Sequence, residues 1–127
     1  MTYWRSREDE NAPTLRQALF GALPGEVAPT LFCEIQEQVR RNIFGHGLGR
    51  HNREEMYSLA IDDLRALSAF LGDKPYAMGD RATTLDATCY GFLAALLVPP
   101  IASPLKTAAL AIPNLVGYTE RMRSQYF

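Results

Sequence analysis

The sequence predicts an all-α bundle of five or six helices around a buried central helix near residues 84–98. Three observations predict it. The run from Leu85 to Val98 is apolar on nearly every face, and a helix hydrophobic all round must be surrounded by protein or lipid. At ~14 residues it is too short to cross a bilayer, which leaves protein. Elsewhere, apolar residues recur at helical spacing between glycine and proline boundaries. No segment alternates apolar and polar residues as a half-buried strand would.

Each element has its own local reason. Met1 to Asn11 is polar and charged apart from Tyr3 and Trp4, and Trp4 is expected to pack because burying an indole is favourable. Pro13 to Leu23 carries Leu15, Leu19 and Phe20 at helical spacing and reads as a short helix ending at Gly21 or Pro24. Pro24-Gly25 and Pro29 bound a loop. From Thr30 the apolar positions are Leu31, Ile35, Val39 and Ile43, every fourth residue, with Phe32 and Phe44 beside them and Glu34, Glu37, Arg40 and Arg41 on the other faces. That amphipathic helix stops in Gly45-His46-Gly47-Leu48-Gly49. Asn52 is the next N-cap, with Glu55 three residues on, and Met56, Ala60, Leu64, Leu67 and Leu71 form the stripe that follows, supported by Leu59 and Phe70. Gly72 ends that helix. Thr83 then caps the central helix, and Asp86 at its third position completes a capping box and puts negative charge at the positive end of the helix dipole. Pro99-Pro100 stops it, Pro104 to Ala111 can make a shorter helix, and Asn114 is expected to cap the last one. Leu115, Tyr118, Met122 and Tyr126 lie on one face of that last helix.

Bulk properties narrow the function. The 127 residues form one expected domain, with no internal repeat and no linker. Hydrophobic residues at 47% and charged residues at 21% exclude a disordered chain. A formal net charge of −1 offers no polycationic surface, so neither nucleic acid nor a membrane is an expected partner. Cys33 and Cys89 sit in apolar helical patterns and read as reduced, buried thiols. The first residues lack the basic-then-apolar order of a signal peptide, and the expected compartment is the cytoplasm.

The sequence names no catalytic residue. The three glycines at 45, 47 and 49 lack the strand and spacing of a dinucleotide fingerprint and read as backbone punctuation. Arg50 and His51, beside the helix that Asn52 opens, are the candidates for binding an anion or substrate, since helix amides and a guanidinium attract carboxylate or phosphate. The competing reading gives them a structural contact that fixes the loop. His46 and His51 are the only histidines and the cysteines lie on other helices, so no metal is expected. Thr83 and Asp86 are read as a structural cap. Asp62 and Asp63 read as a solvated helix face.

The stretch Gly79-Asp80, then Thr83 with Asp86 opening a buried helix, resembles the helical C-terminal domain of glutathione S-transferases. Leu71-Gly72-Asp73-Lys74-Pro75-Tyr76-Ala77-Met78-Gly79-Asp80 looks like that family's lead-in. Gly47-Leu48-Gly49-Arg50-His51, Leu85-Asp86-Ala87 and the ending Pro113-Asn114-Leu115, Tyr118, Arg121-Met122 and Tyr126-Phe127 are similar to the branch related to metaxin and failed-axon-connections proteins. The resemblance runs from about Tyr3 onward. It implies that Tyr3-Trp4-Arg5 sits near the end of a first helix cut short by the start of the chain. It also implies that the thioredoxin-like domain, which holds glutathione and activates its thiol, is absent here. The chain would then line an apolar co-substrate site and a dimer interface and be catalytically incomplete alone. Glutathione would be a co-substrate only with the missing domain, and the chain itself would need no cofactor. A homodimer or a thioredoxin-like domain is the expected partner, with Met1 to Phe20 as part of the contact surface. The alternative function is a non-enzymatic, metaxin-like interaction module, and a weaker one is a carrier of apolar ligands.

Overall fold

The computed structural model describes residues 12–22 and 27–127. The expectations placed on Tyr3, Trp4 and the rest of Met1 to Asn11, on the Pro24-Gly25 loop, and on the side chains of Leu15 and Leu19 lie outside the described residues. The helices are α1 (Ala12–Phe20), α2 (Val27–Gly45), α3 (Arg53–Leu71), α4 (Thr84–Leu97), α5 (Pro104–Leu110) and α6 (Pro113–Tyr126), with a 3-10 turn at Leu48–Arg50. Among the described residues the chain is therefore all-α, and its only extended pairing is a bridge between Tyr76 and Gly79. It forms two compact groups, one up to Met56 and one from Tyr57 to Phe127.

In the first group, α2 begins at Val27 and takes Pro29 into its first turn instead of starting at Thr30. The first amides of a helix have no partner within it, so a proline there removes nothing. The buried stripe of α2 is Phe32, Gln36 and Ile43 with Val39 half-buried, while Ile35 is exposed. The expected stripe took every fourth residue, and at 3.6 residues per turn that pattern drifts about 40° per step and leaves the neighbour behind. Steps of four and three keep to one side. The same rotation turns Cys33 outward, so this thiol is free and exposed rather than buried. Phe20 of α1 meets Phe32 edge to face, with ring centroids 6.3 Å apart.

The glycines after α2 have separate roles. Gly47 has φ +90°, the left-handed region that glycine favours. Gly49 comes so close to the end of α2 that an added Cβ would lie 2.8 Å from the Phe44 amide nitrogen. Asn52 and Glu55 then make a reciprocal box: the Glu55 amide donates to Asn52 Oδ1 at 2.8 Å, and the Asn52 amide donates to Glu55 Oε2 at 2.9 Å.

The core of the second group is Leu64 and Leu71 of α3, Leu93 of α4, Ala109 of α5, and Leu115, Tyr118 and Met122 of α6. Helix α4 buries Asp86 and Leu93, but α6 contributes more buried residues, with Thr119 as a fourth. The central helix is thus not the most buried element. It is apolar all round, but α5 and α6 cover only part of it, and Phe92 is 68% exposed.

Two caps differ from their sequence reading or were absent from it. Ser103 caps α5, its hydroxyl oxygen accepting from the Lys106 amide at 3.1 Å. Asn114 does not cap α6, whose N-cap is Ile112 with Pro113 as first residue. Its side chain amide instead donates to the carbonyls of Ser68 at 3.0 Å and Gly72 at 3.2 Å, and its Oδ1 accepts from the Ser68 hydroxyl at 2.8 Å. Asn114 therefore gives the Gly72 carbonyl a donor beyond the end of α3 and adds a second donor to the Ser68 carbonyl, which also accepts from the Gly72 amide at 2.9 Å.

Candidate functional site

The polar centre of the second group is Asp86, whose side chain is fully buried at the third position of α4. Thr83 has the extended backbone of an N-cap, and the pair forms a capping box. Asp86 Oδ2 accepts from the Thr83 amide at 2.8 Å and from the Thr83 hydroxyl at 3.0 Å. Oδ1 accepts from the Ala77 amide at 2.7 Å and from the Tyr118 hydroxyl at 2.9 Å, and that hydroxyl also lies 3.1 Å from the Asp86 carbonyl oxygen. One carboxylate thus ties together the loop before α4, the start of α4 and the middle of α6.

The electrostatics follow from that geometry. Burial pushes the Asp86 carboxyl up, but the Ala77 and Thr83 amides and the Tyr118 and Thr83 hydroxyls outweigh it and hold its pKa below the ordinary value. Burial raises the Tyr118 hydroxyl, and its bond to Asp86 raises it further, so it stays protonated. Burial and the Asp86 charge also raise Cys89, which disfavours the thiolate. With both oxygens saturated and no exposed surface, Asp86 cannot reach a substrate proton. Its chemistry is that of an anchor.

The second candidate is the corner from Phe44 to Met56. The Arg50 guanidinium lies over the Phe44 ring, 5.2 Å from its centroid. His51 Nδ1 is 3.3 Å from Glu55 Oε2, the same oxygen that takes the Asn52 amide. The Asn52 amide, with His51 adding to it, keeps the Glu55 carboxyl below its ordinary pKa. Arg50 and His51 are neighbours in the chain with separate side-chain partners. Beside them lies a cleft of about 520 Å³ lined by Glu37, Arg40, Arg41, Ile43, Phe44, Gly45, Gly49 and Met56. No group of three His, Cys, Asp or Glu side chains converges among the described residues.

Sequence reasoning missed Ala77 and Tyr118 as partners of Asp86, and it missed the cleft. The signal for Tyr118 was present: a tyrosine on the apolar face of a helix needs a buried partner for its hydroxyl. Ala77 gave none, because a backbone amide looks alike at every residue.

Comparison with known proteins follows the same lines. Residues 60–122 match the family described as glutathione S-transferase, C-terminal domain. The chain is 33% identical to the Drosophila melanogaster protein Failed axon connections, over 98% of this chain and 33% of that protein. It is 38% identical to the isoprene-epoxide glutathione S-transferase of a Rhodococcus species, over 65% of this chain and 34% of the relative. With a Metaxin-1 homolog of Caenorhabditis briggsae it shares 39% identity over 62% of this chain and 26% of the relative. The chain thus spans about a third of the length of these relatives or less. No solved structure gives a significant match.

Proposed function

We propose that the chain, whose residues 60–122 match the glutathione S-transferase C-terminal domain family, is the helical half of a glutathione S-transferase-like protein. In this reading it lines an apolar co-substrate site and a dimer interface, while a thioredoxin-like domain outside this chain holds glutathione. One observation carries the reading. Leu85 and Phe92 are two turns apart on the same side of α4, in a helix apolar all round, and they are 39% and 68% exposed. Covering a phenylalanine is worth about 1.5–3 kcal/mol, which favours a second domain or subunit on that side. Asp86 and Tyr118, the polar groups at the centre of the second group, are engaged within the fold, which supports a chain that is catalytically incomplete alone. The free cysteines suit the reducing cytoplasm, and no helix among the described residues is long and apolar enough to cross a membrane.

A conjugation assay tests this. The chain alone is expected to give no glutathione-dependent turnover of a generic electrophile, and a thioredoxin-like domain supplied with it is expected to restore turnover. Saturable turnover by the chain alone overturns the incomplete-enzyme reading. A second reading, a metaxin-like interaction module, is supported by the 39% identity to the Metaxin-1 homolog. Turnover that stays absent when both domains are present, together with partner binding lost in Phe92→Ser, selects that reading.

A further inference from the structure

The cleft beside Phe44 lies outside the stretch that carries the family match, and it combines three features. Its volume, about 520 Å³, falls in the range of small-molecule sites. Ile43, Phe44 and Met56 supply an apolar floor, yet Phe44 is 59% exposed. Arg40 and Arg41 stand on its wall and share one carboxylate, Glu37, at 3.5 and 3.6 Å. Both pairs are long and solvent-exposed, and Arg41 Nη2 also donates to Gln38 Oε1 at 3.1 Å, so the guanidinium groups are positioned along α2 by exposed contacts that a carboxylate can exchange with. Arg50 brings a third guanidinium to the Phe44 ring. The cleft lining itself thus carries two positive charges, Arg40 and Arg41, against one negative charge, Glu37.

We propose that this cleft binds a small amphipathic carboxylate, its apolar tail on Ile43, Phe44 and Met56 and its head on Arg40 and Arg41. Guanidinium matches carboxylate in a planar, two-bonded geometry, and the tail covers the exposed ring. The glycines leave the room. Gly49 brings its backbone against the end of α2, and a Cβ added at Gly45 meets no atom within 4 Å. A large side chain at position 45 would therefore project into open space in the cleft without disturbing the helix.

The experiment is calorimetric titration of the full chain with decanoate below its micelle concentration, with decanol and decylammonium as matched tails. Decanoate is expected to bind at least ~10-fold more tightly than either, the scale of one charged hydrogen-bonded contact. Arg41→Gln is expected to weaken decanoate ~5–10-fold, and raised salt to weaken it in parent but less in that variant. Gly45→Phe is expected to abolish binding while leaving the urea midpoint in place. Equal affinity for decanoate and decanol overturns the proposal, as does decanoate binding that survives Gly45→Phe. Vesicles of anionic phospholipid form the last arm. Binding to vesicles without binding to monomeric decanoate overturns the proposal in favour of a membrane surface.

Discussion

Replacing Asp86 with alanine removes one carboxylate and strands several groups, and the cost can be worked through contact by contact. The Ala77 amide has no other acceptor, and Ala77 is 2% exposed, so an unpaired buried donor costs about 1–3 kcal/mol. Loss of the cap at the start of α4 costs about 0.5–2 kcal/mol. The Thr83 amide and hydroxyl belong to an exposed residue and can turn to water. The Tyr118 hydroxyl keeps the backbone carbonyl of residue 86 at 3.1 Å. The total is about 1.5–5 kcal/mol, a large part of a typical domain stability of about 5–15 kcal/mol. With a urea slope of about 1.5 kcal/mol/M, a loss near 3 kcal/mol moves the midpoint down by roughly 2 M. Circular dichroism at 222 nm, a standard helix wavelength, follows the transition. Tyr118→Phe removes one of four donors and should cost about 1 kcal/mol. An unchanged midpoint for Asp86→Ala, or a larger loss for Tyr118→Phe, refutes Asp86 as the hub.

The same carboxylate should govern acid stability. Its folded pKa lies below the unfolded value of about 3.9, so its contribution is complete above that pH and is lost as pH falls through the folded pKa. Melts from pH 7 to pH 2 should show a loss below about pH 4 that is smaller in Asp86→Asn. Asn114→Ala should cost about 1–2 kcal/mol, because the Gly72 carbonyl loses its side-chain donor and the Ser68 carbonyl is left with the Gly72 amide alone. A urea midpoint within error of the parent would contradict this. Arg121→Ala removes the guanidinium bond to the Pro75 carbonyl at 2.8 Å, and hydrogen exchange at Tyr76, Ala77 and Gly79 should speed up while Leu93 stays protected. Unchanged exchange in that loop would remove the role given to Arg121.

The parts legible in the sequence were those fixed within one helical turn. Asn52 with Glu55, Thr83 with Asp86, and Gly72 and Gly47 after their helices all follow from bonds or dihedrals a few residues long. What stayed hidden depended on residues that meet only in the fold. Ala77 is nine positions from Asp86, Tyr118 is 32 away, and Asn114 is 46 from Ser68. Asn114 shows how a local reading goes astray. An asparagine at the start of a helix is a good cap for that helix, but Pro113 and Ile112 already form the entry, and the amide serves another helix. The α2 stripe failed for a different reason. A run of apolar residues every fourth position is prominent in the sequence, but it is not straight on a helix surface. Gln36 took a buried place because the straight line passes through it. The cleft at Phe44 was hidden because part of its room comes from a side chain that is missing, here at Gly45.

Helix α6 explains why the second group holds together with so few long-range polar contacts. Asn114, Tyr118, Arg121 and Gln125 follow one another by four, three and four residues, which lines them up on one side of the helix. Each meets a different part of the same region. Asn114 reaches the end of α3, Arg121 the Pro75 carbonyl, Gln125 the Tyr76 hydroxyl at 2.5 Å, and Tyr118 the buried carboxylate that starts α4. Leu115 and Met122 are buried from the same helix, so the polar line runs beside an apolar one. The apolar line supplies most of the burial and is tolerant of sliding. The polar line has fixed donors and acceptors, and a shift by one residue would break all four contacts together. That division of labour positions the Pro75 to Thr83 loop, and with it the first turn of α4, whose outer side carries the exposed Leu85 and Phe92.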